Sequence, residues 1–268
     1  VSAGPATVRR LEEVEGVDLQ LLHGPGWEHL SFQFGSGRLA RKPDSGNDVL
    51  DYRKAVAYTI DRRQLVEQAL GGLGEVLNSP VGIAWPAAAG PGWSAYRADP
   101  DQAAELLAGL GNDQPAAVLT INGTPERVAA AAEFEDAFAA AGMVLTVEPP
   151  EDTGVYFLET VGPGQFDLAE WAWIPRPGPS AVVADLRRWF LESPSEGGSN
   201  FSRWGAEDST NQDSDAERLL ELFEEIASEM DLDHLQRLLA EAERIMADLV
   251  ITIPLYAELN PGAVWGTE

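Results

Sequence analysis

The sequence predicts an α/β fold, and the clearest grounds are a strand, a helix and a second strand in direct succession. Ala116–Asn122 (AAVLTIN) is a short apolar run of the kind that forms a buried strand. Thr124 and Pro125 then supply a helix N-cap and a first-turn proline, the helical pattern runs to Ala141, and Gly142 stops it. Met143–Glu148 (MVLTVE) follows as a second strand. A crossover of that length joins parallel strands, because an antiparallel pair needs only a tight turn. The second observation is that long amphipathic helices flank further strand candidates on both sides of this unit.

Taken in order, Val17–Leu22 (VDLQLL) and His29–Phe34 (HLSFQF) predict two strands, with His23, Gly24, Pro25 and Gly26 as the turn between them. After a polar stretch from Gly35 to Asp48, residues Tyr52–Leu70 predict one helix. Its apolar stripe is Val56, Ile60, Leu65, Val66 and Ala69, and Gly71 with Gly72 ends it. Residues 80–100 are rich in Pro, Gly, Ala and Trp and predict an ordered loop. Asp101–Leu110 predicts a short helix stopped by Gly111. Gln165–Ile174 (QFDLAEWAWI) predicts a third strand, halted by the Pro175-Arg176-Pro177-Gly178-Pro179 run, with a helix from Ser180 to Leu191. Beyond the polar stretch Glu192–Asp213, two more helices follow. One carries Leu219, Leu222, Phe223 and Ile226; the other starts at Asp231 or Asp233 and carries Leu235, Leu238, Leu239, Ala242, Ile245, Met246 and Leu249. Val250–Tyr256 (VITIPLY) returns as a strand.

Length and composition narrow the function. The 268 residues suffice for one large or two small domains. Against 44 Asp and Glu stand 18 Lys and Arg, a net charge of −26 that repels phosphate backbones and anionic headgroups. No nucleic-acid partner is predicted. With no cysteine, thiol nucleophiles, iron–sulfur ligation and thiolate zinc sites are excluded. His23, His29 and His234 are too far apart in sequence to make a ligand pair, so neither a metal nor any other cofactor is predicted. Gly35-Ser36-Gly37-Arg38-Leu39-Ala40 has dinucleotide-site spacing, but the sequence after it cannot open the helix that such a site requires. Acidic groups such as Glu133, Glu135 and Asp136 read as solvated helix faces, and no pattern points to an enzyme.

The eight tryptophans say more. Trp189 and Trp204 read as packing residues. Trp171 and Trp173 stand two apart and therefore share one face at the end of a strand that enters a Pro/Gly-rich loop. Ligands sit at such strand ends in open α/β sheets, and aromatic faces line small-molecule sites. The alternative is that both indoles cover a helix in the core.

Several segments, in order, resemble one family. Leu30-Ser31-Phe32-Gln33 followed by Asp51-Tyr52-Arg53-Lys54-Ala55-Val56-Ala57-Tyr58-Thr59-Ile60-Asp61-Arg62 resembles the signature of the family 5 (peptide/nickel type) extracellular solute-binding proteins of ABC importers. The Ala98–Leu107 helix, the Phe138–Leu145 turn, Phe166-Asp167-Leu168 with Trp173, and the stretch from Arg237 to Tyr256 are similar to further family features. The resemblance covers about residues 28 to 258.

It implies one lobe of a two-lobed binding protein, of the type II periplasmic-binding-protein kind, with a mixed, mainly parallel sheet flanked by helices. Residues 1–28 would be a remnant of the first lobe, 29–256 the second lobe with its crossover strands, and 257–268 the start of the return. The implied function is capture of a peptide-like or other small solute and its delivery to ABC permease subunits, without catalysis. The implied location is extracellular or periplasmic, with a lipoprotein anchor in the full-length form. A sensor or scaffold of the same fold, or an extracellular hydrolase, is the alternative. Peptide-binding members carry an Asp shortly after the tryptophan that Trp173 matches; here Arg176 stands there, which suits a carboxylate or phosphate rather than an ammonium. Trp171, Trp173 and Arg176 are the candidate ligand-binding residues, with Asn200 beside them. Arg53 and Asp61 read as structural, the first as an anchor near the hinge and the second as a polar contact of its helix.

Overall fold

The crossover unit forms as its spacing predicts. In the computed structural model, which describes residues 5–35, 48–90, 92–110, 116–205 and 214–265, the strands Ala117–Thr120 and Leu145–Val147 pair in parallel across their intervening helix. In chain order the elements are α1 (Pro5–Glu12), β1 (Val17–Phe32), α2 (Asp48–Thr59), α3 (Arg62–Leu70), β2 (Gly74–Val76) and α4 (Pro100–Leu110). Next come β3 (Ala117–Thr120), α5 (Pro125–Ala140), β4 (Leu145–Val147) and α6 (Thr153–Val155), which runs on into a π-helical turn, Tyr156–Val161. The chain continues with β5 (Leu168–Trp173), α7 (Pro179–Phe190), α8 (Ser214–Ser228), α9 (Leu232–Asp248) and β6 (Thr252–Trp265). The glycine pattern beyond Gly35, the helix stop at Gly111, the end of the polar stretch before Ser214 and the last three residues lie outside the described residues.

Among the described residues the sheet has six strands in the order β2-β6-β1-β5-β3-β4. It is mixed, as the resemblance implies, but not mainly parallel: β3 pairs in parallel with β4 and β5, whereas β1–β5, β1–β6 and β2–β6 are antiparallel. The reason is that β1 enters and β6 leaves through the middle of the sheet in opposite directions. They run side by side from Ser31 opposite Thr252 to Val17 opposite Trp265.

The predicted turn at His23–Gly26 does not exist. Val17–Phe32 is one continuous strand, and its register with β6 shifts between His23 and Trp27 and again between Glu28 and His29. The glycines serve close strand approach. A Cβ on Gly24 would lie 2.9 Å from Asn260 Nδ2, and one on Gly26 would lie 3.0 Å from the Trp173 carbonyl oxygen. Exposure also changes along this strand. Leu21 and Leu22 face solvent, while Trp27, Leu30 and Phe32 are buried.

A second correction concerns Tyr52–Leu70, which is two helices. Asp61 breaks the run with extended backbone, and its Oδ1 accepts from the amides of Arg63 (3.0 Å) and Gln64 (3.1 Å), capping α3. Gly71 and Gly72 end α3 with φ of 58° and 83°, as predicted. Replacing Asp61 by Ala removes the cap and should lower unfolding free energy by about 1 kcal/mol in urea titrations. Arg53 is buried on α2, donating from Nε and Nη2 to the Leu249 carbonyl (3.3 and 3.0 Å) just ahead of β6.

Packing divides across β5. Leu168 joins Leu30, Phe32 and Ile253 in the large core that also takes in buried residues of α2, α3, α5 and α9. Its neighbours Ala169 and Trp171 face a smaller aromatic core with Tyr156, Val161 and Phe166. The 80–100 loop is ordered by α9. Glu243, 1 % exposed, accepts from Ser79 Oγ (2.6 Å) and from the amides of Val81 (3.2 Å) and Gly90 (2.7 Å).

Candidate functional site

The end of β5 brings both predicted tryptophans onto one sheet face, and β1 completes the patch. Cross-strand register sets Trp27 opposite Trp173 and His29 opposite Trp171. Four rings therefore form a two-by-two block. His29 lies 4.6 Å from Trp171, edge on, and 5.8 Å from Trp173, stacked; Trp27 lies 4.8 Å from His29. Trp189 of α7 stacks on Trp173 at 5.2 Å, and Phe201 stacks on it at 5.7 Å.

This block is mostly interior. Trp171 is 2 % exposed and Trp27 fully buried, so for Trp171 the packing alternative describes its surroundings better than a ligand face does. Trp173 is only half-buried, and Ile174 after it is 66 % exposed, so the block opens to solvent at the strand end. His29 is held neutral, since burial first and the Arg127 guanidinium second push its pKa well below the usual imidazole range.

Arg176 projects from the loop after β5, and Asp185 of α7 claims it. Its backbone amide donates to Asp185 Oδ2 (2.8 Å), and Nε and Nη2 donate to Oδ1 (2.8 and 2.6 Å). The arginine side chain keeps 59 % of its surface while Asp185 keeps 5 %. The hydrogen bonds and charge of Asp185 raise the Arg176 pKa, so the cation persists at any working pH. A solute meeting Arg176 thus meets an already paired guanidinium, a weaker anion attractor than the sequence alone implies.

Asn200 is placed differently from its prediction. It is 3 % exposed, its Nδ2 donates to the carbonyls of Phe190 (2.9 Å) and Trp204 (2.8 Å), and its Oδ1 accepts from Ser202 Oγ (3.0 Å). Those bonds occupy its amide in fixing the turn that presents Phe201 to Trp173. It shapes the site from behind and does not face it.

Behind the opposite sheet face lies a buried charged group that sequence reasoning missed. Arg127, in the first turn of α5, donates from Nη2 to Glu28 Oε1 (2.8 Å) and from Nε to Oε2 (3.2 Å). Glu170 of β5 is fully buried near them. Its Oε1 accepts a long bond from Tyr256 Oη (3.5 Å), and its Oε2 has no partner among the described residues. One guanidinium cannot balance two carboxylates. Burial, then Glu28, drives the Glu170 pKa well above the usual carboxylate range, so Glu170 is the protonated member. The signal in the sequence is a glutamate inside an otherwise apolar run, Leu168–Ile174.

Among the described residues, no group of three or more His, Asp or Glu could hold a metal ion, and no helix is long and apolar enough to cross a membrane.

The model for the bacterial extracellular solute-binding proteins, family 5, middle portion, matches residues 1–188. The chain belongs to this family. No curated protein matches it in sequence. Solved structures with the same fold include the periplasmic murein tripeptide-binding protein MppA in its unliganded open form (TM-score 0.77, 16 % identity, 97 % of this chain and 47 % of that one). Another is the oligopeptide-binding protein AppA of Bacillus subtilis in complex with a nonapeptide (TM-score 0.74, 16 % identity, 98 % and 51 %). A third is NikZ of Campylobacter jejuni with Ni(L-His) (TM-score 0.72, 16 % identity, 98 % and 51 %). At these identities the likeness establishes the fold. This family 5 chain spans about half the length of the structures it matches.

Proposed function

We propose that this chain is one lobe of the substrate-binding component of an ABC importer, capturing a peptide-like or other small solute and handing it to permease subunits. The observation that carries the reading is family 5 membership together with near-complete coverage of this chain against about half of each two-to-one longer neighbour. In this reading residues 29–256 are the second lobe, 1–28 belong with the first, and 257–268 begin the return. The full-length protein works outside the cytoplasmic membrane, held there as a lipoprotein. It makes and breaks no bonds, and lobe closure over the solute is its mechanism.

Trp173 is the residue proposed to meet the solute, because it alone of the two predicted tryptophans reaches the open end of the aromatic block. Arg176, paired with Asp185, borders the same strand end. Trp171 and Asn200 support that edge from inside. In the full-length protein, Trp173→Ala should weaken solute affinity by about 1 kcal/mol or more, roughly fivefold, by calorimetry. An unchanged affinity removes Trp173 from the site.

The function itself is tested by mass spectrometry of small molecules that co-purify with the full-length protein, followed by incubation with the molecule found. A solute returned intact supports binding without catalysis, and turnover supports a hydrolase. Loss of uptake of that solute on deletion separates an importer component from a sensor or scaffold.

A further inference from the structure

Near the β2–β6 edge of the sheet the charge balance of the chain is locally reversed. A hollow of about 290 Å³ between the start of α3, the residues after β2 and the loop before α4 is lined by Arg62, Arg63, Arg97, Asn78, Ser94 and, as its one carboxylate, Asp61. Three cations to one anion here contrasts with 18 to 44 over the whole chain.

The single carboxylate is already engaged in capping α3. Arg62, at the base, is 6 % exposed, and its guanidinium donates only to uncharged acceptors. These are the carbonyls of Leu77 (2.6 Å), Pro254 (3.1 Å), Trp93 (3.0 Å) and Tyr96 (2.8 Å), and Asn78 Oδ1 (3.1 Å). It is a buried cation without a hydrogen-bonded counter-ion, the arrangement that costs most in a low-dielectric interior. Above it, Arg63 and Arg97 are exposed, and neither guanidinium has an ion pair or hydrogen bond among the described residues. Asn78 commits its carbonyl oxygen to Arg62, which turns its amide donor group to other use, and the Ser94 hydroxyl is exposed.

We propose that this hollow is a binding site for a small tetrahedral oxyanion, held by Arg63, Arg97, Asn78 and Ser94 above the buried guanidinium of Arg62. The donors on its rim suit phosphate or sulfate oxygens, which accept several hydrogen bonds at once. Burial lowers the Arg62 pKa to about 10 although the Asp61 charge opposes it, and a bound anion would offset more of that penalty. Because Asn78 accepts from Arg62 and Arg62 also donates to the Pro254 carbonyl, the anion would be linked through these two side chains to β6. The site is separate from the Trp173 edge and does not depend on the proposed solute function.

The test is a titration of this chain with inorganic phosphate, with sodium chloride at matched ionic strength as control, read by amide resonances and by Tm. Saturable shifts at Arg63, Asn78, Ser94 and Arg97, with a phosphate-dependent rise in Tm, are expected. Arg97→Gln and Arg63→Gln, both on exposed side chains, should each weaken phosphate binding by about tenfold while leaving Tm without phosphate unchanged. Shifts that do not saturate, that chloride reproduces, or that survive both substitutions overturn the proposal.

Discussion

Replacing Arg127 by Met is expected to lower the free energy of unfolding by about 3 to 5 kcal/mol at pH 8. The substitution keeps much of the aliphatic stem but leaves Glu28, 8 % exposed, without the guanidinium that makes two hydrogen bonds to it. An isolated buried carboxylate is far costlier than a missing contact, so the protein must unfold more easily or protonate Glu28. Burial already raises the Glu28 pKa above the usual carboxylate value, with Arg127 as the main opposing influence. Without Arg127 the folded pKa rises further. The loss should therefore be greatest above the carboxylate range and shrink as pH falls and Glu28 takes up a proton. Glu170→Gln is the companion experiment. A fully buried Glu170 that is protonated when folded should tolerate an uncharged, near-isosteric amide with little loss at pH 8. Urea titrations of both variants at pH 5 and pH 8 decide the matter. A loss below about 1 kcal/mol for the arginine variant at pH 8 would show that the pair does not stabilise the packing of α5 on β1.

The second large effect is a pH dependence written into Glu243. Its carboxylate accepts three hydrogen bonds from the 79–90 loop, yet burial outweighs them and pushes its pKa up to about 7 from an ordinary value of 4.5. The folded state thus keeps a proton that the unfolded state releases. The stability from this group is fully present below about pH 4.5, falls as pH rises, and is gone above about pH 7. The span corresponds to about 3 kcal/mol. In Glu243→Gln the part of the slope that this group contributes between those limits should disappear, although the variant loses some of the loop's hydrogen bonding at every pH. The quantity to measure is the difference in unfolding free energy between wild type and variant from pH 4.5 to 8. A difference that stays constant across that range would mean Glu243 is already ionised in the fold at pH 5. Since the Gly90 amide donates directly to this carboxylate, the same titration should loosen amide protection at Gly90 first.

Much of the fold was legible because local rules and packing agreed. The β3-α5-β4 crossover follows from an apolar run, Pro125 at the first helical position and Gly142, whose φ is 75°. Thr124 takes the cap position, though without the side-chain hydrogen bond that usually accompanies it. Asp231 starts α9 as one of its two candidates, accepting from the His234 amide at 2.8 Å. The family was legible too, because its ordered short motifs do not depend on overall identity.

The misreadings share a cause. Glycines at positions 24 and 26 read the same whether they turn a chain or let two strands approach closely, and only the neighbouring β6 and β5 distinguish the cases. The apolar stripe through Ile60 is continuous across α2 and α3, so periodicity hides the break that Asp61 caps. For Asn200, local pattern likewise says nothing of the two carbonyls to which its amide donates.

The α/β class, most of the helices, the family, and the placement of Trp171 with Trp173 on one face were legible without the fold, because they rest on patterns among residues close in the chain. Tertiary contacts alone set which of those indoles reaches solvent, that Asp185 holds Arg176, that Glu28 and Glu170 share one arginine, and that three arginines line one hollow. The physical reason is that burial and charge compensation depend on partners as far as 99 residues away in the chain, as Arg127 is from Glu28.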